Sequence, residues 1–306
     1  IMPSLVGSEM CIRDRTSALQ DALQETLQEI QDWPVGKAAA AVIDGGTGDE
    51  SATQVANCAE TDAFALASVS KLITAYAVLI AVEEGAFELD DQVDADLLEL
   101  LEGQSAPTIR ELLAHASGVG FRDRAQEKPA GERRIYSSAG YEILAAQLER
   151  ATEISFADYV QEAICEPLGI SITVEGSAGH GFISDLRSMV AVASEFLTPT
   201  LLSEETLAEA LEVFGEDLSG VVPGYGRQVP CPWGLGFELH GEKSPHWLSP
   251  DMPADVAGHF GQSGTFLWVH RPTQRAAVVL TDTAFGDWAK ERWDGFNGRI
   301  WAALED

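Results

Sequence analysis

The chain has 306 residues, 45% of them hydrophobic, and carries 49 acidic against 19 basic side chains for a formal net charge of −30 at pH 7. That length suits one large catalytic unit or a pair of lobes. The charge is spread along the chain; it argues against nucleic acid and anionic membrane surfaces as partners and fits solubility or salt adaptation.

Residues 5–15 resemble an in-frame translation of a common sequencing-library transposon adapter. They show neither helical periodicity nor the charged and apolar regions of a signal peptide, so residues 1–15 are set aside as non-native. On that reading the native N-terminus is missing; the protein is taken as cytoplasmic, with export left open. Without Cys11, the remaining Cys58, Cys165 and Cys231 are an odd, widely spaced set lacking Cys-x-x-Cys. That pattern argues against a disulfide framework or a metal site and for reduced, buried thiols.

Leu19, Leu23, Leu27 and Ile30 form a helical stripe that Trp33-Pro34 stops. Residues 37–44 are a small and β-branched apolar run before Gly45-Gly46, which reads as a strand and a turn. The longest apolar run, Leu72 to Val82, has helical character and is too short to cross a bilayer. Thr108-Ile109-Arg110-Glu111 is a capping box; Ser155, Ser184-Asp185 and Ser203 open further helices. After Pro223 the texture returns to strands at Gly234–Leu239, Thr265–His270 and Ala276–Thr281, the last two joined by a hairpin connection, before a closing amphipathic helix from Trp288 to Leu304. Strands at both ends and helices between them predict one α+β catalytic domain over 16–306. An α/β lobe comes from about 16–67 and 226–306, with a helical lobe inserted at about 68–225. No internal repeat or low-complexity linker interrupts it.

The chemistry centres on Ala67-Ser68-Val69-Ser70-Lys71, where chain and lobe change over. On a helix, residues three apart share a face, so the Ser68 hydroxyl and the Lys71 amine can meet. A serine is a weak nucleophile until a base takes its proton, and a desolvated lysine has its pKa lowered far enough to serve. Alone the pattern is weak; the plain alternative is a helix start capped by Ser68 or Ser70 with Lys71 in solvent. Two more motifs add to it. Tyr136-Ser137-Ser138 precedes a helix and offers a hydroxyl for proton transfer, with Ser138 as a hydrogen-bond donor to Lys71 or substrate. His259-Phe260-Gly261 lies in a glycine-rich stretch where substrate can approach the backbone closely. His115 is read as structural, capping the Ser117-Gly118 turn; His180 and His246 are read the same way.

The order Ser-x-x-Lys, Tyr-x-Ser, His-x-Gly resembles the serine β-lactamase-related superfamily, on the branch of class C β-lactamases, D-alanyl-D-alanine peptidases and family VIII carboxylesterases. The likeness runs from Trp33 to the C-terminus and includes the stretch from Thr108 to Gly118, Glu166-Pro167-Leu168-Gly169 and Trp233-Gly234-Leu235-Gly236-Phe237. It implies a β-lactamase/penicillin-binding-like fold with an antiparallel sheet flanked by terminal helices. It also implies Ser68 as the acylated nucleophile, Lys71 as its base and Tyr136 as the helper in deprotonation. The oxyanion hole would come from the backbone N–H groups of Ser68 and Gln262, and the substrate contacts from Ser138, His259 and Gly261. No metal or cofactor is implied.

Two departures stand out. Ser138 replaces the branch's Asn, and no Lys-x-Gly occurs, so the cation that anchors a substrate carboxylate is replaced by His259. An esterase-like hydrolase acting on small esters, amides or peptides is therefore expected. A penicillin-binding peptidase or β-lactamase is the first alternative and a non-catalytic binding or sensor domain the second. The oligomeric state is not legible.

Overall fold

The computed structural model describes residues 19–45 and 50–305; the segment set aside, 1–15, lies outside them. Helix α1 (residues 19–28) ends in a 3-10 turn, Glu29–Asp32, and leads into β1 (Ala38–Asp44) and β2 (Glu50–Ala56). After β3 (Phe64–Ala65) come a 3-10 turn (Ala67–Val69), α2 (Ser70–Glu83), α3 (Ile109–Leu113), α4 (Ser138–Thr152), α5 (Phe156–Val160) and α6 (Glu166–Leu168). Then follow β4 (Ile172–Val174), β5 (Phe182–Ser184), α7 (Leu186–Leu197), α8 (Glu204–Ala210), β6 (Gly220–Val222) and β7 (Gly226–Gln228). The C-terminal part is β8 (Glu238–Leu239), β9 (Ala257–Gly261), β10 (Thr265–His270), β11 (Arg275–Thr281), α9 (Asp287–Lys290) and α10 (Trp293–Glu305).

The main sheet is antiparallel in the order β2-β1-β11-β10-β9-β8, so the N-terminal strand β1 pairs with the C-terminal β11, Ala38 opposite Thr281. The strands alternate, and each face is buried. Ala39, Ala41, Val278, Leu280 and Leu267 face a core shared with α2 and α7; Ala40, Val42, Val279, Phe266 and Trp268 face a second core under α1 and α10. The alanines of β1 let helices approach both faces closely. From Ser70 to Ala81 every residue of α2 is buried, as expected of a helix that is apolar all round and runs through a core.

The Thr108 capping box forms in both directions, and Ser155, Asp185 and Ser203 cap α5, α7 and α8 through their side-chain oxygens. Two expectations are corrected. Of residues 234–239 only Glu238 and Leu239 are strand, because Gly236 takes φ +97° and Gly234 abuts the Ala210 carbonyl so closely that a Cβ would sit 2.2 Å from it. The closing helix is two, α9 and α10, with Arg292 N–H bonded back to Ala289 in the tightened join. Between about 68 and 225 the helices are accompanied by short strands: β5 pairs with β4 and with β3 just before the stretch, and β6 pairs with β7 just after it. Cys58 is half-buried, while Cys165 and Cys231 are buried; all three are free thiols. Among the described residues no helix is long and apolar enough to cross a membrane.

Candidate active site

Ser68 lies in the 3-10 turn just before α2, not within the helix. Ala67 before it takes φ +45°, in the left-handed region that a residue with a Cβ adopts at a cost. That turn aims Ser68 into a cleft, while Ser70 is fully buried and its Oγ accepts the Phe182 N–H at 3.1 Å. The two serines are thus separated by use: one lines a cavity, the other pins α2 to β5.

Lys71 is completely buried. Its Nζ donates to the Gly179 carbonyl at 2.7 Å and to Ser138 Oγ at 3.1 Å, and it lies 3.5 Å from Ser68 Oγ. Burial pulls its pKa from 10.5 down to about 7, against a smaller upward pull from Glu142. A neutral amine has two N–H bonds and one lone pair. Gly179 and Ser138 take the N–H bonds, and the lone pair is left for the Ser68 hydroxyl. Ser138, expected as a donor to Lys71, is its acceptor.

Tyr136 is held by its neighbours on all sides. Ser137 caps α4, its Oγ accepting the Gly140 N–H at 2.8 Å and donating to the Gly120 carbonyl at 2.7 Å. His115 Nδ1 accepts the Ser137 N–H at 3.1 Å, and its ring packs 4.8 Å from that of Tyr136. His115 therefore does not cap the Ser117-Gly118 turn. It sits at φ +55° and braces the Tyr136 segment instead. Lys71 Nζ lies over the Tyr136 ring, 4.7 Å from its centre, rather than at the hydroxyl. Burial pushes the phenol above its usual range, against a hydrogen bond with Ser68 that acts the other way.

His259 lies inside strand β9, not in a loop before a strand. Gly258 permits this, because a Cβ there would sit 2.1 Å from the Leu267 carbonyl of β10. His259 Nδ1–H donates to the Phe260 carbonyl at 2.6 Å, which leaves Nε2 to accept from the Tyr136 hydroxyl at 3.4 Å. Burial, then the charge of Lys71, lowers its pKa to about 4, so it is neutral at pH 7. Gly261 is forced by space: a Cβ would meet the Leu66 carbonyl at 2.5 Å. The turn after it is tied to the Ser68 turn, with Ser263 Oγ donating to Ala65 O at 2.6 Å and Thr265 Oγ1 to Leu66 O at 3.0 Å. Gln262 and Ser68 both line the cleft.

A cavity of about 60 Å³ is lined by Ser68, Tyr136, Trp233, Glu238, His259 and Gln262, among others. It adjoins an open groove of about 580 Å³, with which it shares Phe121, Tyr136, Pro223 and Gln262. Trp233 was read from the sequence as core or cleft wall, while Glu238 and Gly179 were not anticipated. Glu238 is buried and accepts from His246 Nε2 at 2.8 Å, Trp247 Nε1 at 2.9 Å and Lys243 Nζ at 3.2 Å. Burial alone would raise its pKa, but Lys243 and His246 hold it well below the carboxylate range. Only the alternation of Trp233 and Phe237 with glycines hinted at this wall; nothing in the sequence pairs Glu238 with Lys243. Among the described residues no group of three or more His, Cys, Asp or Glu side chains is placed to hold a metal.

Comparison with known proteins gives the family and the fold. Residues 24–296 match the family described as Beta-lactamase. A beta-lactamase structure from Mycobacterium bovis is 39% identical, with a TM-score of 0.84, over 91% of this chain and 99% of that one. A hydrolase with promiscuous acyltransferase activity, EstCE1, is 16% identical with a TM-score of 0.76 over 94% of this chain and 99% of its own, which speaks to the fold alone. A penicillin-binding protein of Bacillus subtilis (strain 168) is 30% identical over 138 residues, 36% of this chain and 30% of that protein, so the chain spans under a third of that relative's length.

Proposed function

The chain belongs to the beta-lactamase family, and on that premise we propose that it is a metal-independent, Ser-x-x-Lys-type serine hydrolase with an esterase-like preference. The observation that carries this is Lys71: fully buried, with no carboxylate among its hydrogen-bond partners, and 3.5 Å from Ser68 Oγ. In the proposed cycle neutral Lys71 takes the Ser68 proton as Oγ attacks the carbonyl carbon of an ester or amide. The backbone N–H groups of Ser68 and Gln262 receive the developing oxyanion. Tyr136, oriented by His259 Nε2, gives its phenolic proton to the leaving group and regains one from the Lys71 ammonium, and water then hydrolyses the acyl-enzyme over the same groups, its proton returning the cycle to neutral Lys71 and free Ser68.

The esterase-like preference rests on His259. A lysine at that place would be a permanent cation; a neutral imidazole attracts a substrate carboxylate beside the scissile bond less. Short-chain p-nitrophenyl esters should therefore show a higher kcat/KM than a chromogenic cephalosporin at pH 8. The likeness to a beta-lactamase at 39% identity favours the second reading, β-lactam turnover, and a faster cephalosporin would select it. A fluorophosphonate adduct should map to Ser68 by peptide mass spectrometry and vanish in Ser68→Ala. An adduct on Ser70 would refute the assignment, and the absence of any adduct or turnover would leave a non-catalytic domain on this fold.

A further inference from the structure

In a chain of net charge −30, most of the basic side chains described here have a carboxylate beside them: Lys37 with Asp62, Arg110 with Asp90 and Glu209, Arg150 with Asp94 and Asp96, Arg299 with Glu29. Arg122 and Arg133 do not, and both line the open groove of about 580 Å³ that adjoins the Ser68 cavity. Arg122 rests against the Phe121 ring, 5.9 Å from its centre. Arg133 also borders a further groove with Arg227, where Glu132 is already paired to Lys128 at 3.2 Å. Arg134 is different: its buried guanidinium is spent on the carbonyls of Cys231, Ala114, Phe214 and Gly215.

Apart from Tyr136 and Gln262, which it shares with the Ser68 cavity, the rest of the groove is apolar. Phe121 is 45% and Val221 48% exposed there, beside Ile135 and Pro223. Exposed large apolar side chains rimmed by charge mark a binding surface more often than a bare solvent face. Guanidinium forks suit carboxylates, and a local positive rim on an acidic protein concentrates anions where the remaining surface repels them.

Resting on the hydrolase reading above, we propose that this outer groove is an anion-reading subsite: the preferred substrate carries an apolar arm ending in a carboxylate, held by Arg122 and Arg133 one cavity away from the scissile bond. The inner position, at His259, then needs no cation. Selectivity would favour acyl compounds whose acid stands off from the reacting carbonyl over those, such as β-lactams, whose acid lies next to it.

The test uses uncleaved amides in the Ser68→Ala background, so that binding is read without turnover. Isothermal titration compares acetanilide with 4-acetamidobenzoate, whose acid is on the leaving side, and glutaranilic acid, whose acid is on the acyl side. At least one acid should bind tenfold or more tightly than acetanilide, the gap should shrink as salt rises, and adding R122A and R133A should close it. Equal affinities for all three compounds, or a gap that survives both arginine substitutions, would overturn the proposal. A gap that closes as expected in a protein whose wild type hydrolyses no ester would keep the anion subsite and remove the hydrolase reading; ester hydrolysis without a gap would do the reverse.

Discussion

Lys71 and Lys243 are equally buried, yet they stand in opposite surroundings. Lys243 lies 3.2 Å from Glu238 Oε1 and donates to the carbonyls of Pro232 and Leu239. Lys71 has carbonyl, hydroxyl and aromatic neighbours but no carboxylate in contact, and burial draws it to about 7. The difference is one carboxylate. A buried ammonium with a counter-ion is a structural cation; one without it is ready to be a base near neutral pH. Ser68, the partner of Lys71, and Glu238, the partner of Lys243, both line the cleft, so the same side chain serves chemistry behind one and cohesion behind the other.

The contrast is sharpest when each lysine is removed. Lys71→Met should cut ester turnover by about 10³-fold, in line with the loss of a general base, while the thermal melt stays within a few degrees. Lys243→Met should leave turnover within a small factor but destabilise the fold by about 3 kcal/mol, because Glu238 keeps a buried charge without its cation. Urea unfolding beside steady-state kinetics reads both, and a K243M enzyme as dead as K71M would break the distinction.

Making Lys71 resemble Lys243 is the next step. In the wild type, kcat/KM for a neutral ester should rise about tenfold per pH unit up to about 7 and then level, since the base must be unprotonated. Ser138→Asp places a carboxylate where Oγ now lies 3.1 Å from Nζ. That favours the ammonium, so the midpoint should move up by about one unit or more and activity at pH 7 should fall about tenfold. A pH–rate profile that does not move would mean that Lys71 is not the group being titrated.

The smallest effect is expected from adding charge of the same sign. His259→Lys sets a second cation near Lys71, which should lower the midpoint of the profile by up to about one unit and narrow the gap between ester and cephalosporin several-fold. An unchanged ester-to-cephalosporin ratio would show that the residue at 259 does not read the substrate's acid.

Much of the frame was legible in the chain itself. The capping box at Thr108, the caps at Ser155, Asp185 and Ser203, and the strand Thr265–His270 depend on neighbours within a few residues and came out where the local pattern put them. Membership of the beta-lactamase family followed from the order of the short motifs. The strand containing His259 was not legible, because Gly258 and Gly261 have poor strand propensity; they are tolerated where the neighbouring backbone comes too close for a Cβ. Nor was the true partner of His115, which lies 22 residues away at Ser137.

The sequence by itself determined which residue types were available: one lysine three places after a serine, a tyrosine before a helix, a histidine beside a glycine, and an excess of acid everywhere. Tertiary structure alone decided which of these are dry, which are paired and which are left over. Lys71 met Gly179 from 108 residues away, Lys243 met Glu238, and Arg122 and Arg133 were left facing a groove without a carboxylate. The reason is physical: pKa and charge pairing depend on burial and on distances of a few ångströms, and those are settled when distant segments pack together rather than by the order in which they are strung.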